Sequence, residues 1–139
     1  MDAQAVKTQP DPFEPFHISQ AMRVGDLVIT SGQAAIDLDG NIVGIGDFSR
    51  QAGQVFENLR LVLEAAGSSL DQVVKVTIYL TDMVYFPEIV ALREQYFSAP
   101  YPADTILEVR ALALPELMIE IEATALATGS VIPAGGASV

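Results

Sequence analysis

The sequence predicts an α+β fold: a two-layer sandwich with two helices on one face of a mixed six-stranded sheet, in the order β-β-β-α-β-α-β-β. Two observations carry this reading. Residues 73–81 and 117–127 alternate apolar and polar side chains with the period of two that a strand requires. Residues 48–66 place Ala52, Val55, Phe56, Leu59, Val62, Leu63 and Ala66 at three- and four-residue spacings, the single apolar stripe of a helix. Helices segregated to one side of a sheet that mixes strand directions give this class of layered fold.

In chain order, residues 1–16 carry three prolines and little periodicity, and are predicted to form a flexible arm. Residues 27–31 read as a strand entered through the Gly25-Asp26 turn. Asp39-Gly40-Asn41 is a hairpin turn between two short strands. The helix of 48–66 is capped by Asp47 or Ser49 and stopped by Gly67. In strand 73–81, Val74, Val76, Ile78 and Leu80 share one side while Lys75, Thr77 and Tyr79 share the other. Pro87 opens a second helix that runs to about residue 97, with Ile89, Val90, Leu92, Arg93, Tyr96 and Phe97 as its buried stripe and rim. Two strands near 104–112 and 117–127 complete the domain of 17–128, and 129–139 are predicted to be a flexible tail.

Composition sets limits. With 139 residues the chain forms one domain. Its 18 acidic against 7 basic residues give a net charge of −11, which repels polyanions, and the seven cations never cluster; nucleic acid is not an expected partner. The absence of cysteine removes disulfides, thiolate catalysis and thiolate metal ligands, and a single histidine removes His-rich zinc sites, so no metal site is expected. No apolar run reaches the length of a membrane span, and the polar, proline-bearing N-terminus does not read as a signal peptide. A cytoplasmic location is the expectation. Strand 117–127 is partly apolar on both faces while helices exist for only one, which predicts association with further copies of the chain.

Three stretches, "SQAMRVGDLVITSGQ", "QAGQVFENLRLVLEAAGSSLDQVVKVTIYLTDM" and "LPELMIEIEATA", resemble the reactive-intermediate deaminase (Rid, or YjgF) family over residues 18–127. The resemblance implies a chorismate-mutase-like subunit, a homotrimer with ligand clefts between subunits, and hydrolysis of small reactive enamines and imines to carbonyl compounds and ammonia with no cofactor. It also implies a cleft lined by a serine-glycine pair and an aromatic residue, with an arginine for the substrate carboxylate and a glutamate that places water.

Carried over position by position, Ser31 and Gly32 match the serine-glycine pair, Phe86 the aromatic, Glu120 the glutamate and Pro115 the proline before the last strand. Ile18 stands where the family has a tyrosine, Val90 where it has an asparagine, and Asp104 where it has the arginine. Arg110 lies six residues along the predicted strand, roughly 20 Å away, too far to replace that arginine within one subunit. It reads as a surface group paired with Glu108 or Glu116, the other reading being that it reaches a neighbouring subunit's cleft.

Glu120 is the candidate catalytic residue, since a carboxylate in a partly apolar cleft has its pKa raised toward neutrality. Glu122 reads as an exposed charge. Asp104, if it shared the cleft with Glu120, would create negative potential that rejects an anionic 2-iminoacid and favours a neutral or cationic ligand; the other reading turns it outward to cap the turn after Pro102. His17 has either a proton-transfer role at the cleft mouth or a packing role beside Phe13 and Phe16. Ser31 has no partner base and is a hydrogen-bonding group rather than a nucleophile. The backbone N–H near Ile106 is placed to bind a developing oxygen. The expected function is a hydrolase of reactive enamines or imines with altered, non-2-iminoacid specificity. The alternative is a catalytically silent trimeric module that binds a small molecule.

Overall fold

The computed structural model describes residues 1–135. Its strands are β1 (Ala3–Val6), β2 (Ala21–Val24), β3 (Leu27–Thr30), β4 (Gln33–Ala34), β5 (Val73–Leu80), β6 (Ala103–Glu108) and β7 (Ile119–Leu126), and its helices are α1 (Phe48–Ala65) and α2 (Phe86–Tyr96). One mixed sheet runs in the order β1-β2-β3-β7-β5-β6, with β4 also paired to β7. Its pairings are antiparallel except β5 with β6, which run parallel because α2 carries the chain back between them.

The core lies between the two helices and one face of this sheet. On β7, Ile119, Ile121, Ala123 and Ala125 are buried, and the intervening Glu120, Glu122, Thr124 and Leu126 take the other face. Burial of each isoleucine contributes about 2 kcal/mol, and a one-residue slip would forfeit all four contacts at once, so the register of β7 is firmly set. That register fixes the face on which Glu120 and Glu122 stand. On β5 a register irregularity between Val73 and Lys75 buries Val73 and leaves Val74 only half-buried, which corrects the expected assignment of Val74 to the core face.

Helix α1 begins where Asp47 accepts a hydrogen bond from the Arg50 backbone N–H at 3.1 Å, so Asp47 rather than Ser49 is the cap. It ends at Gly67, whose φ of +81° lets the Ser68 N–H return to the Leu63 carbonyl at 2.8 Å. Ser49 instead donates to Glu88 of α2 at 2.7 Å, and Phe56 of α1 stacks on Tyr96 of α2 with ring centroids 4.4 Å apart. These contacts hold the two helices together over the sheet.

Four expectations change. The sheet has seven strands rather than six. The stretch 1–16 supplies β1, whose residues Ala3–Val6 pair with β2 instead of forming a loose arm, and β2 itself, Ala21–Val24, was not expected. Only β4 forms of the two short strands expected beside the 39–41 turn. Thr8 and Gln20 reinforce the pairing of β1 with β2, the Thr8 N–H donating to Gln20 Oε1 at 2.5 Å and Gln20 Nε2 to Thr8 Oγ1 at 3.0 Å. The turn at residues 39–41 joins no ladder but a single bridge, Ile36 with Ile42, because Asp37 Oδ1 takes the N–H groups of Asp39 and Asn41. Strand β6 stops at Glu108, where its partner β5 ends at Leu80, so Arg110 lies beyond it. Among residues 129–135 no regular element forms; the rest of the expected tail, 136–139, lies outside the described residues.

Candidate functional site in two halves

The candidate residues fall into two groups on opposite faces of the sheet. The first is centred on Glu120. Strand β3 pairs with β7 through Leu27–Ile29, and β4 through Gln33–Ala34, leaving Ser31 and Gly32 as a corner between them. Thr30 fills the missing ladder position, its Oγ1 accepting from the Ala123 N–H at 3.0 Å. Buried Asn58 of α1 pins the far side by donating to the carbonyls of Ala34 at 2.9 Å and Ile36 at 2.7 Å. The corner is therefore held from two elements, and the Glu120 side chain lies directly against Gly32: a Cβ there would sit 2.7 Å from Glu120 Cδ.

Burial holds the Glu120 carboxyl above the ordinary glutamate range, and the neighbouring Glu122 carboxylate raises it further. Glu122 is not the exposed charge the sequence suggested. It is half-buried and accepts the Tyr79 hydroxyl, whose own ionisation is pushed up by that hydrogen bond and by burial. Ser31 donates its hydroxyl to the Ser19 carbonyl at 2.5 Å, which leaves its oxygen as an acceptor and ties the corner to Ser19. His17 closes a short helical turn with a φ of 60° and is exposed, as is Ile18. Phe16 is 73% exposed, so it gives His17 no buried packing surface.

The second group lies on the helix face, between α2 and β6. An open groove of about 610 Å³ is walled by Phe86, Val90, Phe97, Tyr101, Pro102 and Ile106, with Arg93, Glu94 and Asp104 as its charged members. Asp104 pairs in register with Val76 and Ile106 with Ile78, both core-facing, so both point toward the helices. Asp104 neither caps the turn nor meets Glu120. Its carboxylate takes a two-pronged contact from Arg93, with Nε and Nη2 each at 2.9 Å from an oxygen. The strand backbone there is open at the sheet edge, but the Asp104 side chain is only 18% exposed. The Arg93 guanidinium also lies over the Phe86 ring, 5.7 Å from its centroid.

Within one chain, then, the sequence-derived set divides. Ser31, Gly32 and Glu120 come together, while His17 and Ile18 join them only through the chain at Ser19, and Phe86, Asp104 and Ile106 form a separate group. The expected negative pocket of Asp104 and Glu120 does not exist inside a single subunit, because the two residues occupy opposite faces. Arg93 is the residue whose role sequence reasoning missed. Its signal was available: Phe86, Val90 and Arg93 recur at spacings of four and three, one face of a helix. Arg110 makes no ion pair among the described residues, so neither Glu108 nor Glu116 neutralises it. Glu108 instead accepts the Met83 N–H at 2.8 Å.

Comparison with known proteins gives a consistent result. The protein-family model described as Endoribonuclease L-PSP matches residues 6–127. A RutC family protein of Pyrococcus abyssi is 39% identical over 116 residues, covering 84% of this chain and 89% of that protein. The 2-iminobutanoate/2-iminopropanoate deaminase of Salmonella typhimurium is 35% identical over 125 residues, covering 88% and 94%. Among solved structures, RidA from an Antarctic Psychrobacter superposes with a TM-score of 0.80 at 36% identity, covering 88% of this chain and 98% of that one. No helix is long and apolar enough to cross a membrane among the described residues.

Proposed function

The chain belongs to the Rid/YjgF family, and from that premise we propose that it hydrolyses small reactive enamines or imines, with a specificity other than for 2-iminoacids. The observation that carries the reading is the contact of Glu120 with Gly32: a half-buried carboxyl, its pKa raised by burial, fixed at a corner with an acceptor hydroxyl nearby. A raised pKa suits a carboxyl that must both take and return a proton.

The reaction consumes one water. An enamine first tautomerises to its imine, the imine nitrogen takes a proton from solvent, and the iminium carbon accepts the water oxygen to give a carbinolamine. The Glu120 carboxylate orients that water and takes one of its protons, then returns it to the nitrogen. As the C–N bond breaks, the carboxylate takes the remaining hydroxyl proton and passes it to the departing ammonia, leaving ammonium and a carbonyl compound. Fixing the water removes orientational entropy from the barrier. β6 is a sheet edge, so part of its backbone, near Ile106, is free of sheet partners and able to bind the developing oxygen.

Because the two groups of residues stand on opposite faces of the sheet, a site that uses both is one assembled between copies. The homotrimer is proposed on this ground, together with the apolar side chains on the open face. The specificity rests on Asp104, which brings a carboxylate to the groove. A nuclease reading, which the description of the family model suggests, has the charge of −11 against it.

The test is ammonia release from two imines generated in situ, one an anionic 2-iminoacid and one lacking the carboxylate, with wild type, Glu120→Ala and Asp104→Arg in parallel. Turnover of the neutral imine alone, abolished in Glu120→Ala, supports the proposal. Silence with both imines, in wild type and in Asp104→Arg, leaves a module that binds a small molecule without turnover.

A further inference from the structure

We propose that Arg93, held by Asp104, is a specificity-determining residue, and that it selects an uncharged ligand bearing an oxygen acceptor over an anionic one. The inference deepens the reading above and rests on it in taking the α2–β6 groove as the place where the substrate lies.

The argument starts from the donors of one guanidinium. Arginine offers five N–H groups in a fixed plane. Here Nε and Nη2 each give one to Asp104, at 2.9 Å, in the fork-to-fork geometry that is the strongest form of this pair. The face of the group is covered by Phe86. Nη1 has no hydrogen-bond partner among the described residues, and no buried side-chain nitrogen or oxygen there lacks one, so Nη1 is open to solvent. The guanidinium is thus held on two sides, and Arg93 lines the groove with Nη1 open to solvent.

The charge has a different fate from the donors. Arg93 and Asp104 cancel, and the remaining charged member of the groove, Glu94, is an acid. A second carboxylate on Nη1 would lie beside that of Asp104 against the apolar walls of the groove, where like charges repel. A carbonyl or amide oxygen gains the same hydrogen bond without the repulsion. The apolar walls then accept an aliphatic or aromatic remainder, the usual composition of a small-molecule site. Asp104 acts through Arg93 and is a positioning residue.

The experiment measures binding, so that it stands apart from turnover. The probes are 2-oxobutanoate, an anion, and 2-oxobutanamide, its uncharged analogue, titrated by calorimetry into wild type, Asp104→Asn, Arg93→Met and the double variant Arg93→Met/Asp104→Leu. Wild type is expected to bind the amide about tenfold more tightly than the acid. Asp104→Asn releases the charge of Arg93 and is expected to invert that preference, a change a merely structural role for Asp104 would not produce. Arg93→Met and the double variant lose the amide; the double variant, with no unpaired charge, guards against a folding artefact. Equal binding of both probes by wild type, an unchanged ratio in Asp104→Asn, retention of the amide by the folded double variant, or binding of neither probe overturns the proposal. If wild type hydrolyses imines but the ratio does not move, this inference fails and the function stands. If the ratio inverts without any hydrolysis, the reverse holds.

Discussion

Gly32 packs directly against the Glu120 carboxyl: a Cβ at residue 32 would lie 2.7 Å from Glu120 Cδ and 3.0 Å from Cγ. The backbone of Gly32 is not in the left-handed region, so alanine is permitted there by its torsions and excluded only by Glu120. Gly32→Ala should therefore displace one flexible side chain and little else. We expect kcat for imine hydrolysis to fall about 100-fold, as for loss of a general acid–base group. Unfolding free energy should change by about 1 kcal/mol or less. Steady-state kinetics with thermal melts check both, and wild-type kcat in a folded Gly32→Ala protein would remove Glu120 from the chemistry.

The raised pKa of Glu120 makes a stability prediction whose sign is fixed. Its carboxyl binds its proton more tightly folded than unfolded, so its contribution to stability is fully present below the ordinary glutamate value of 4.5 and is lost as pH rises through the folded value. Above the folded value the half-buried carboxylate is a cost. Glu120→Gln should melt higher than wild type at pH 7, and the two should converge toward pH 4. Melting temperatures across that range test it; a constant difference would mean that burial does not perturb this group.

Asn58 is where a helix fixes the site corner. It is 8% exposed, and its two bonds to Ala34 and Ile36 satisfy carbonyls of a stretch with few strand partners. Asn58→Ala leaves both without that donor, at a cost of about 2–3 kcal/mol. Urea denaturation should show a lower midpoint at unchanged slope, and hydrogen exchange should quicken around residues 31–36.

The elements that were legible in the sequence are those whose packing is periodic. The stripe of α1 and the alternation of β7 each have one buried face, so pattern alone locates them within a residue or two. β1 was illegible because, of its four residues, only Val6 is buried; its order comes from edge pairing, which leaves no hydrophobic trace. The candidate site divides in the same way. Glu120 and Gly32 were found by resemblance, and their contact follows from a gap between two strand pairings that no spacing rule encodes. Asp104 was identified as decisive but given the wrong neighbour. Counting residues along the strand offers only Arg110, roughly 20 Å off and already set aside, whereas the actual partner, Arg93, reaches Asp104 from a helix through the parallel crossover.

The open face of the sheet gives the last prediction. Val28 is buried in the core, so Leu27 and Ile29 project from the opposite face, where they are 40% and 48% exposed; Met22, paired with Ile29, is 38% exposed, and Leu126 pairs with Leu27. The same face carries Glu120, Glu122 and Tyr79, and no helix among the described residues covers it. Apolar side chains gathered beside half-buried acids are better sheltered by another copy of the chain than by water, at about 25 cal/mol for each Å² of apolar surface removed. Wild type should therefore run by light scattering as three times the mass of one chain, and Ile29→Lys, which brings a cation into that contact, as a single chain. Because the proposed site is completed between copies, imine hydrolysis should fall with assembly in the Ile29→Lys protein although Glu120 and Gly32 are untouched. A wild-type protein of one-chain mass that still hydrolyses imines would require Glu120 to work without the groove, and would overturn the inter-subunit site while leaving the role of Glu120 in place.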